Sequence, residues 1–261
     1  MTDRPHTLTG DVRAHEGFHS RHLDNDRTVI VYLPPGHDGA AATRFPVLYL
    51  HDGQNVFDQA TAFSDEWSVD ETAQRLILAK RIQPIIVVGI YNTGERRVDE
   101  YTPTPAEARG GRADDYGHML VDELKPFIDA TYATQPGAEH TAMGGSSLGG
   151  LLTLHVGLRH PETFGKLAVL SPSVWWDDRV ILREVDALPA KGAQQIWLDA
   201  GTREGTDVIP DARALRDRLV AKGWSVGKDL MYVEARGAEH NERSWARRVG
   251  PVLTYLFPPV P

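Results

Sequence analysis

The feature that most restricts the fold is a series of short runs that are apolar almost from end to end. They are Pro46-Val47-Leu48-Tyr49-Leu50, Ile85-Ile86-Val87-Val88-Gly89-Ile90, Leu167-Ala168-Val169-Leu170, Ile196-Trp197-Leu198 and Leu230-Met231-Tyr232-Val233. A strand with one face in water alternates apolar and polar residues, so a run with no polar face has to be covered on both sides. Segments of helical periodicity lie between them. Val69 to Ala79 places Leu76 and Ile77 on one face, and Tyr116 to Tyr132 carries Met119, Leu120, Leu124, Phe127 and Ile128 at helical spacing. Leu148 to Arg159, Asp211 to Lys222 and Arg243 to Phe257 are further helices. Ahead of all these, the β-rich run Thr28 to Leu33 stops at Pro34-Pro35-Gly36. It follows a weaker strand from Val12 to Ser20, with Asp24-Asn25-Asp26 read as the hairpin turn. A leading hairpin and then alternating strand and helix predicts an α/β fold: a mostly parallel, doubly wound central sheet with helices on both faces. No repeat, low-complexity tract or linker interrupts the pattern, so residues 1–261 are read as one domain.

Composition narrows the function classes. With 41% hydrophobic and 25% charged residues, the chain has the make-up of an ordinary globular protein. A formal charge of −8 argues against nucleic acid or an anionic membrane as partner, since both call for clustered Lys and Arg. The absence of cysteine excludes disulfides, thiolate metal sites and a cysteine nucleophile. Met1-Thr2-Asp3-Arg4-Pro5-His6 leads into no apolar run, which predicts no secretory signal, and no stretch is long and apolar enough for a bilayer. A cytoplasmic location is the resulting expectation. Nothing in the sequence sets an oligomeric state.

The chemistry is concentrated in Met143-Gly144-Gly145-Ser146-Ser147-Leu148-Gly149-Gly150. Gly-x-Ser-x-Gly occurs in one register only, with Gly145, Ser147 and Gly149, because Ser146 would put Leu148 at the second glycine position. The pattern has a physical cause: a nucleophilic serine on a sharp strand-to-helix turn needs small neighbours. The extended-compatible residues His140 to Met143 precede it, and an apolar helix with Leu151, Leu152, Leu154, Val156 and Leu158 follows. A glycine-rich turn whose serines merely cap a helix is the plainer alternative. That context favours Ser147 as nucleophile.

A serine hydroxyl needs a base to take its proton. Of 11 histidines, His240 alone follows the last predicted strand across a glycine loop, just ahead of a helix. That is where the base belongs in a hydrolase of this strand order. His155 and His160 lie on or beside the helix after Ser147, where packing explains them. The acid that orients the imidazole should follow the preceding strand, and Asp199, Glu204 and Asp207 all do. Asp199 sits within the strand end and is expected to point back into the sheet edge, so that Asp199→Asn leaves most activity. Asp207 lies near the next helix start, where an N-cap role competes. The oxyanion calls for two preorganised N–H donors: Leu148 directly after the nucleophile, and Gln54 in the loop Leu50-His51-Asp52-Gly53-Gln54-Asn55. His51 and Asp52 are read as bracing that loop. As metal ligands they lack clustered partners, so no metal and no cofactor is expected.

These pieces together resemble the esterase D and enterochelin-esterase-like branch of the α/β hydrolases, which includes feruloyl esterases and mycolyltransferases. The matching segments run from Tyr32-Leu33-Pro34-Pro35-Gly36 through Leu48 to Gln54, Arg97 to Tyr101 and Gly144 to Gly150. They continue through Ser171-Pro172-Ser173-Val174-Trp175-Trp176 and Gly201-Thr202-Arg203-Glu204-Gly205 to Gly237-Ala238-Glu239-His240. The resemblance implies ester hydrolysis of a small-molecule substrate through a Ser147 acyl-enzyme, with acyl transfer to an alcohol as the variant. It makes Glu204 the acid, although mycolyltransferase-like members carry theirs further downstream, as Asp207 would be. It also implies that Trp175 and Trp176 border the substrate pocket. Enterochelin esterases carry an additional N-terminal domain, which argues against a ferric siderophore. Arg97 and Glu100 are expected to pair and hold the loop after Ile90. A catalytically idle binding module is the reading from another class, and it places no demand on Ser147, His240 and an acid together.

Overall fold

All the wholly apolar runs are strands, and all lie in one sheet. The computed structural model describes residues 4–38, 43–106 and 108–260; residues 1–3 of the amino-terminal stretch discussed above fall outside these. The strands are β1 (Asp11–Ser20), β2 (Asn25–Leu33), β3 (Val47–His51), β4 (Ile86–Ile90), a two-residue pair β5 (Pro105–Ala106) and β6 (Arg109–Gly110), β7 (Thr141–Ser146), β8 (Lys166–Leu170), β9 (Gln195–Gly201) and β10 (Leu230–Ala235). The helices are α1 (Val69–Leu78), α2 (Arg97–Tyr101), α3 (Ala113–His118), α4 (Lys125–Thr131), α5 (Leu148–Arg159), α6 (Trp176–Ala187), α7 (Val208–Lys222) and α8 (Glu242–Leu256). The large sheet has the order β1-β2-β4-β3-β7-β8-β9-β10. β1 pairs antiparallel with β2 and β2 antiparallel with β4, while every neighbour from β4 to β10 runs parallel.

The side-chain period of two divides each strand between two buried layers. Val31, Tyr49, Val88, Met143, Val169 and Leu198 face one layer, where residues of α3 to α7 pack on them. Ile30, Leu48, Leu50, Val87, Ala168 and Trp197 face the other, against α1 and α8. This is a doubly covered α/β sheet, with the antiparallel hairpin leading it, as the apolar runs required.

Some boundaries differ from the sequence reading. The hairpin turn is Arg21 to Asp24, because Ser20 pairs with Asn25 and His19 with Asp26. Asn25 and Asp26 therefore belong to β2, and only Asp24 takes the left-handed turn conformation, at φ 51°. The long helix starts at Ala113 and contains a π-helical turn at Met119–Leu124, between α3 and α4. Helices α2 and α6 were not anticipated: α2 is a single short turn, and α6 opens on Asp177, Asp178 and Arg179 with φ of 42°, 47° and 59°. Propensity gives no warning of three successive left-handed residues. Among the described residues, no helix is long and apolar enough to cross a membrane.

The turn after β3 is packed against the neighbouring strand. A Cβ at Gly53 would lie 2.4 Å from the carbonyl carbon of Gly89 and 2.5 Å from the nitrogen of Ile90, both backbone atoms of β4. Backbone cannot move aside as a flexible side chain can. Gly53→Ala is expected to lower stability by about 1–3 kcal/mol, as other overpacked sites do. Urea unfolding with a reduced midpoint and unchanged slope checks this; an unchanged midpoint refutes it.

Candidate active site

The carboxyl ends of the parallel strands carry nearly all the chemistry predicted from sequence, which is where open α/β sheets place ligands. Ser147 stands between β7 and α5 with φ 58° and ψ −123°, a region that non-glycine residues enter only under constraint. Its N–H donates to Leu170 O at 3.1 Å, and its carbonyl accepts from Ser173 N at 3.0 Å, so β8 and its following loop clamp the turn. Two of the flanking glycines are sterically required. A Cβ at Gly145 would meet Gly149 backbone at 2.9 Å, and one at Gly150 would meet Leu170 O at 2.7 Å. At Gly149, the second glycine of the motif, the nearest atom would be His51 Cβ at 3.4 Å, an ordinary contact. The close approach therefore falls one residue later than the motif suggests.

His240 ends the loop after β10 and immediately precedes Asn241, whose side chain caps α8 by accepting from Ser244 N at 2.9 Å. That loop is stitched to the loop after β9. Thr202 N donates to Ala235 O at 3.0 Å, Arg203 N to Ala238 O at 2.9 Å, and Gly237 N to Thr202 Oγ1 at 2.8 Å. The stitching brings Glu204 beneath the imidazole: His240 Nδ1 is 3.1 Å from Glu204 Oε2, and His240 Nε2 is 2.9 Å from Ser147 Oγ. A carboxylate only accepts, so Nδ1 carries the hydrogen and Nε2 is left to accept from the serine hydroxyl. Trp245 stands edge-on to the ring, centroids 4.9 Å apart. Burial raises the Glu204 carboxyl, but hydrogen bonds from His240 and Ser171 and the charge of Arg248 bring it below its ordinary value. Asp207 is exposed at the N-cap position of α7 and makes no side-chain capping bond. Asp199 is buried, accepting from Trp197 Nε1 at 2.7 Å and Arg248 Nη1 at 2.5 Å.

Ser147 and His240 open onto a cavity of about 650 Å³, lined also by Gln54, Asn92, Arg97 and the aromatic rings of Phe63, Trp67 and Trp245. The expected tryptophan pair is not part of this wall. Trp176 is buried, its Nε1 donating to Thr104 O at 2.9 Å, and Trp175 points to solvent at 60% exposure. The cavity aromatics come from the loop before α1 and from α8, segments where the sequence shows no motif. Trp245, five residues after His240 on an amphipathic helix, was the one accessible hint.

The model of the "Putative esterase" family matches residues 20–253. The chain belongs to this esterase family. It is a carboxylic ester hydrolase of α/β-hydrolase fold. YbbA of Bacillus subtilis, an uncharacterized protein, is 24% identical over 256 residues, which cover 93% of this chain and 97% of YbbA. The ferri-bacillibactin esterase BesA of the same species is 28% identical over 246 residues, covering 84% of this chain and 82% of BesA. The crystal structure of the BES protein from Bacillus cereus superposes with a TM-score of 0.77 at 21% identity, over 98% of both chains.

In this esterase Asp52 braces the loop after β3, as its sequence suggested, but the partner is Arg97, which was expected to pair with Glu100 and hold the loop after Ile90. Arg97 pairs with Asp52, not with Glu100: its Nε and Nη2 each lie 2.7 Å from a carboxylate oxygen, and Asn92 Nδ2 adds a third bond at 2.7 Å. Glu100 instead holds Arg27 at 3.2 Å, both side chains fully buried. Asp52 is itself left-handed, at φ 56°, with its N–H donating to Tyr101 Oη at 3.2 Å. His51 beside it is kept neutral, burial pushing its pKa down to about 3. Burial alone raises the Asp52 carboxyl, yet Arg97's charge and hydrogen bonds bring it net below the ordinary carboxylate value. A carboxylate with a lowered folded pKa stabilises above its unfolded pKa, and this is lost as pH falls through the folded value. Arg97→Met should therefore destabilise by about 3 kcal/mol at neutral pH, leaving a buried unpaired charge. The deficit should shrink below the carboxylate range, where Asp52 is protonated in both proteins. Urea unfolding at neutral and acid pH checks it; a deficit independent of pH refutes the pairing as its cause.

Proposed function

We propose that this esterase, read as one domain, hydrolyses a small-molecule carboxylic ester through an acyl-enzyme on Ser147. His240 takes the Ser147 proton as the hydroxyl oxygen attacks the ester carbonyl, then returns it to the departing alcohol. In the second half-reaction the same nitrogen takes a proton from water as the water oxygen attacks the acyl carbonyl, then gives it to Ser147 Oγ as that ester bond breaks and the carboxylic acid leaves. Glu204 orients the imidazole and balances its positive charge. The backbone N–H groups of Leu148 and Gln54 receive the oxyanion. Leu148 is the first residue of α5, so its amide lies among the unsatisfied donors at the positive end of a helix dipole. The continuous hydrogen-bonded line Ser147–His240–Glu204, at 2.9 and 3.1 Å, is the observation that carries this reading.

The substrate follows from the cavity. Phe63, Trp67 and Trp245 offer an apolar, aromatic side, and Asn92, Arg97 and Glu95 a polar one. We propose an ester with a bulky apolar or planar acyl part and a polar remainder. BesA, 82% of which aligns with this chain, is named as an esterase of ferri-bacillibactin, and an ester of that kind stays within the proposed class.

Turnover of p-nitrophenyl butyrate tests the mechanism. Ser147→Ala should lose on the order of 10⁴-fold or more in kcat and fail to react with a fluorophosphonate probe. Glu204→Gln should lower kcat by several orders, on the scale of about 10⁴ seen when an orienting acid is removed. Asp207→Asn should retain nearly all activity. Equal turnover by Ser147→Ala and the parent sinks the mechanism, and the reverse ranking of Glu204 and Asp207 in folded variants moves the acid.

A further inference from the structure

The two oxygens of Glu204 are used very differently. Oε2 faces His240, while Oε1 accepts from Ser171 Oγ at 2.7 Å, Gly201 N at 2.8 Å and Arg248 Nη2 at 3.3 Å. Arg248 projects from α8 into the sheet edge with its side chain 7% exposed. Its shorter bond goes elsewhere: Nη1 lies 2.5 Å from Asp199 Oδ1, on β9. Ser171, left-handed at φ 42°, sits among them and accepts from Arg248 Nη1 and Nη2, both at 3.2 Å, and from Trp245 Nε1 at 3.1 Å. Behind the imidazole there is thus a buried row of Glu204, Arg248 and Asp199.

We infer that Asp199 is a positioning residue for ester hydrolysis: by engaging Arg248 it keeps the Glu204 charge available to the imidazolium of His240. The inference rests on the Ser147–His240–Glu204 mechanism proposed above. The row carries one net negative charge while His240 is neutral and none once His240 has taken the Ser147 proton. The row is buried although the His240 side chain is 38% exposed, and a net negative charge behind the ring favours the protonated state. Without the Asp199 charge, Arg248 has Glu204 as its one carboxylate, and the row becomes positive when His240 is protonated. The same step is then opposed. Burial pushes the Asp199 carboxyl up to about 6, but the Arg248 guanidinium, 2.5 Å away, favours the carboxylate. Among the described residues, no other carboxylate pairs with Arg248. Arg97 and Asp52 neutralise each other, Glu95 is exposed, and Glu242 lines the cavity from the first turn of α8.

The test is the pH dependence of kcat/KM for p-nitrophenyl butyrate in Asp199→Asn, in Asp199→Asn combined with Arg248→Met, and in Glu204→Gln. Contrary to the expectation from sequence, Asp199→Asn should lower kcat about tenfold or more, leave KM within about threefold, and move the acid limb down by about one pH unit, as expected when a compensating charge behind an imidazole is lost. The double variant restores one net negative charge and should return the limb to its original position and recover most of the rate. A purely structural role would reduce activity without moving the limb, and would make the double variant worse. An unmoved limb in Asp199→Asn, or a double variant slower than it, overturns the inference. If Asp199→Asn alone does not fold, the double variant decides: a limb at the parent position supports the inference and a displaced limb overturns it. Near-parental kcat in Glu204→Gln would instead sink the underlying mechanism, so the two failures are distinguishable.

Discussion

The arrangement at the sheet edge depends on one backbone turn. Ser147 holds a conformation, φ 58° and ψ −123°, that opposes the preferences of an L-residue and costs on the order of 1–3 kcal/mol. Such a turn persists only where its surroundings leave no alternative. Here β7 is locked between β3 and β8, α5 is buried over nearly its whole length, and Gly145 and Gly150 leave no space for a Cβ. The strain projects the Ser147 hydroxyl out of the sheet toward His240 and leaves the Leu148 amide at the open start of a helix. Chain direction, hydroxyl and donor are thus set by one local geometry.

Around that turn, charges are organised in three groups: two balance internally, and the third keeps one net negative charge. Asp52, Asn92 and Arg97 hold the loop after β3, and Arg27 with Glu100 secures the base of α2. Asp199, Arg248 and Glu204 lie behind His240. A buried ion pair contributes little to net stability once desolvation is counted, but removing one partner is strongly destabilising. Such groups therefore hold geometry more than they add stability. At the β9–β10 side this matters for chemistry, because the proposed reaction moves a positive charge onto His240 and the row behind it is charged to receive it.

The comparison with BesA and BES gives this picture a wider frame without specifying it. Identities of 28% and 21% accompany coverage of 84% and 98% of this chain, so the fold is shared more firmly than the side chains on it. Cavity residues such as Phe63 and Trp67 lie in the segment between β3 and α1, where loops vary at little cost to the core.

What the sequence determined by itself was local and periodic. Apolar runs without a polar face demanded a covered parallel sheet, and Gly145-Ser146-Ser147-Leu148-Gly149 between strand and helix demanded a strained turn. Strand order along the chain pointed to His240 and narrowed its carboxylate partner to Asp199, Glu204 and Asp207. The tertiary structure decided what depends on residues far apart in sequence. It turned Glu204 toward His240 through hydrogen bonds between two loops, gave Arg97 to Asp52 instead of Glu100, and left Trp175 and Trp176 outside the cavity wall. It also brought Arg248 between two carboxylates some forty to fifty residues away. The reason is physical: periodicity and turn sterics act over a few residues and leave a trace in composition. Charge pairing and cavity shape are settled only when separate elements pack and compete for the same partners.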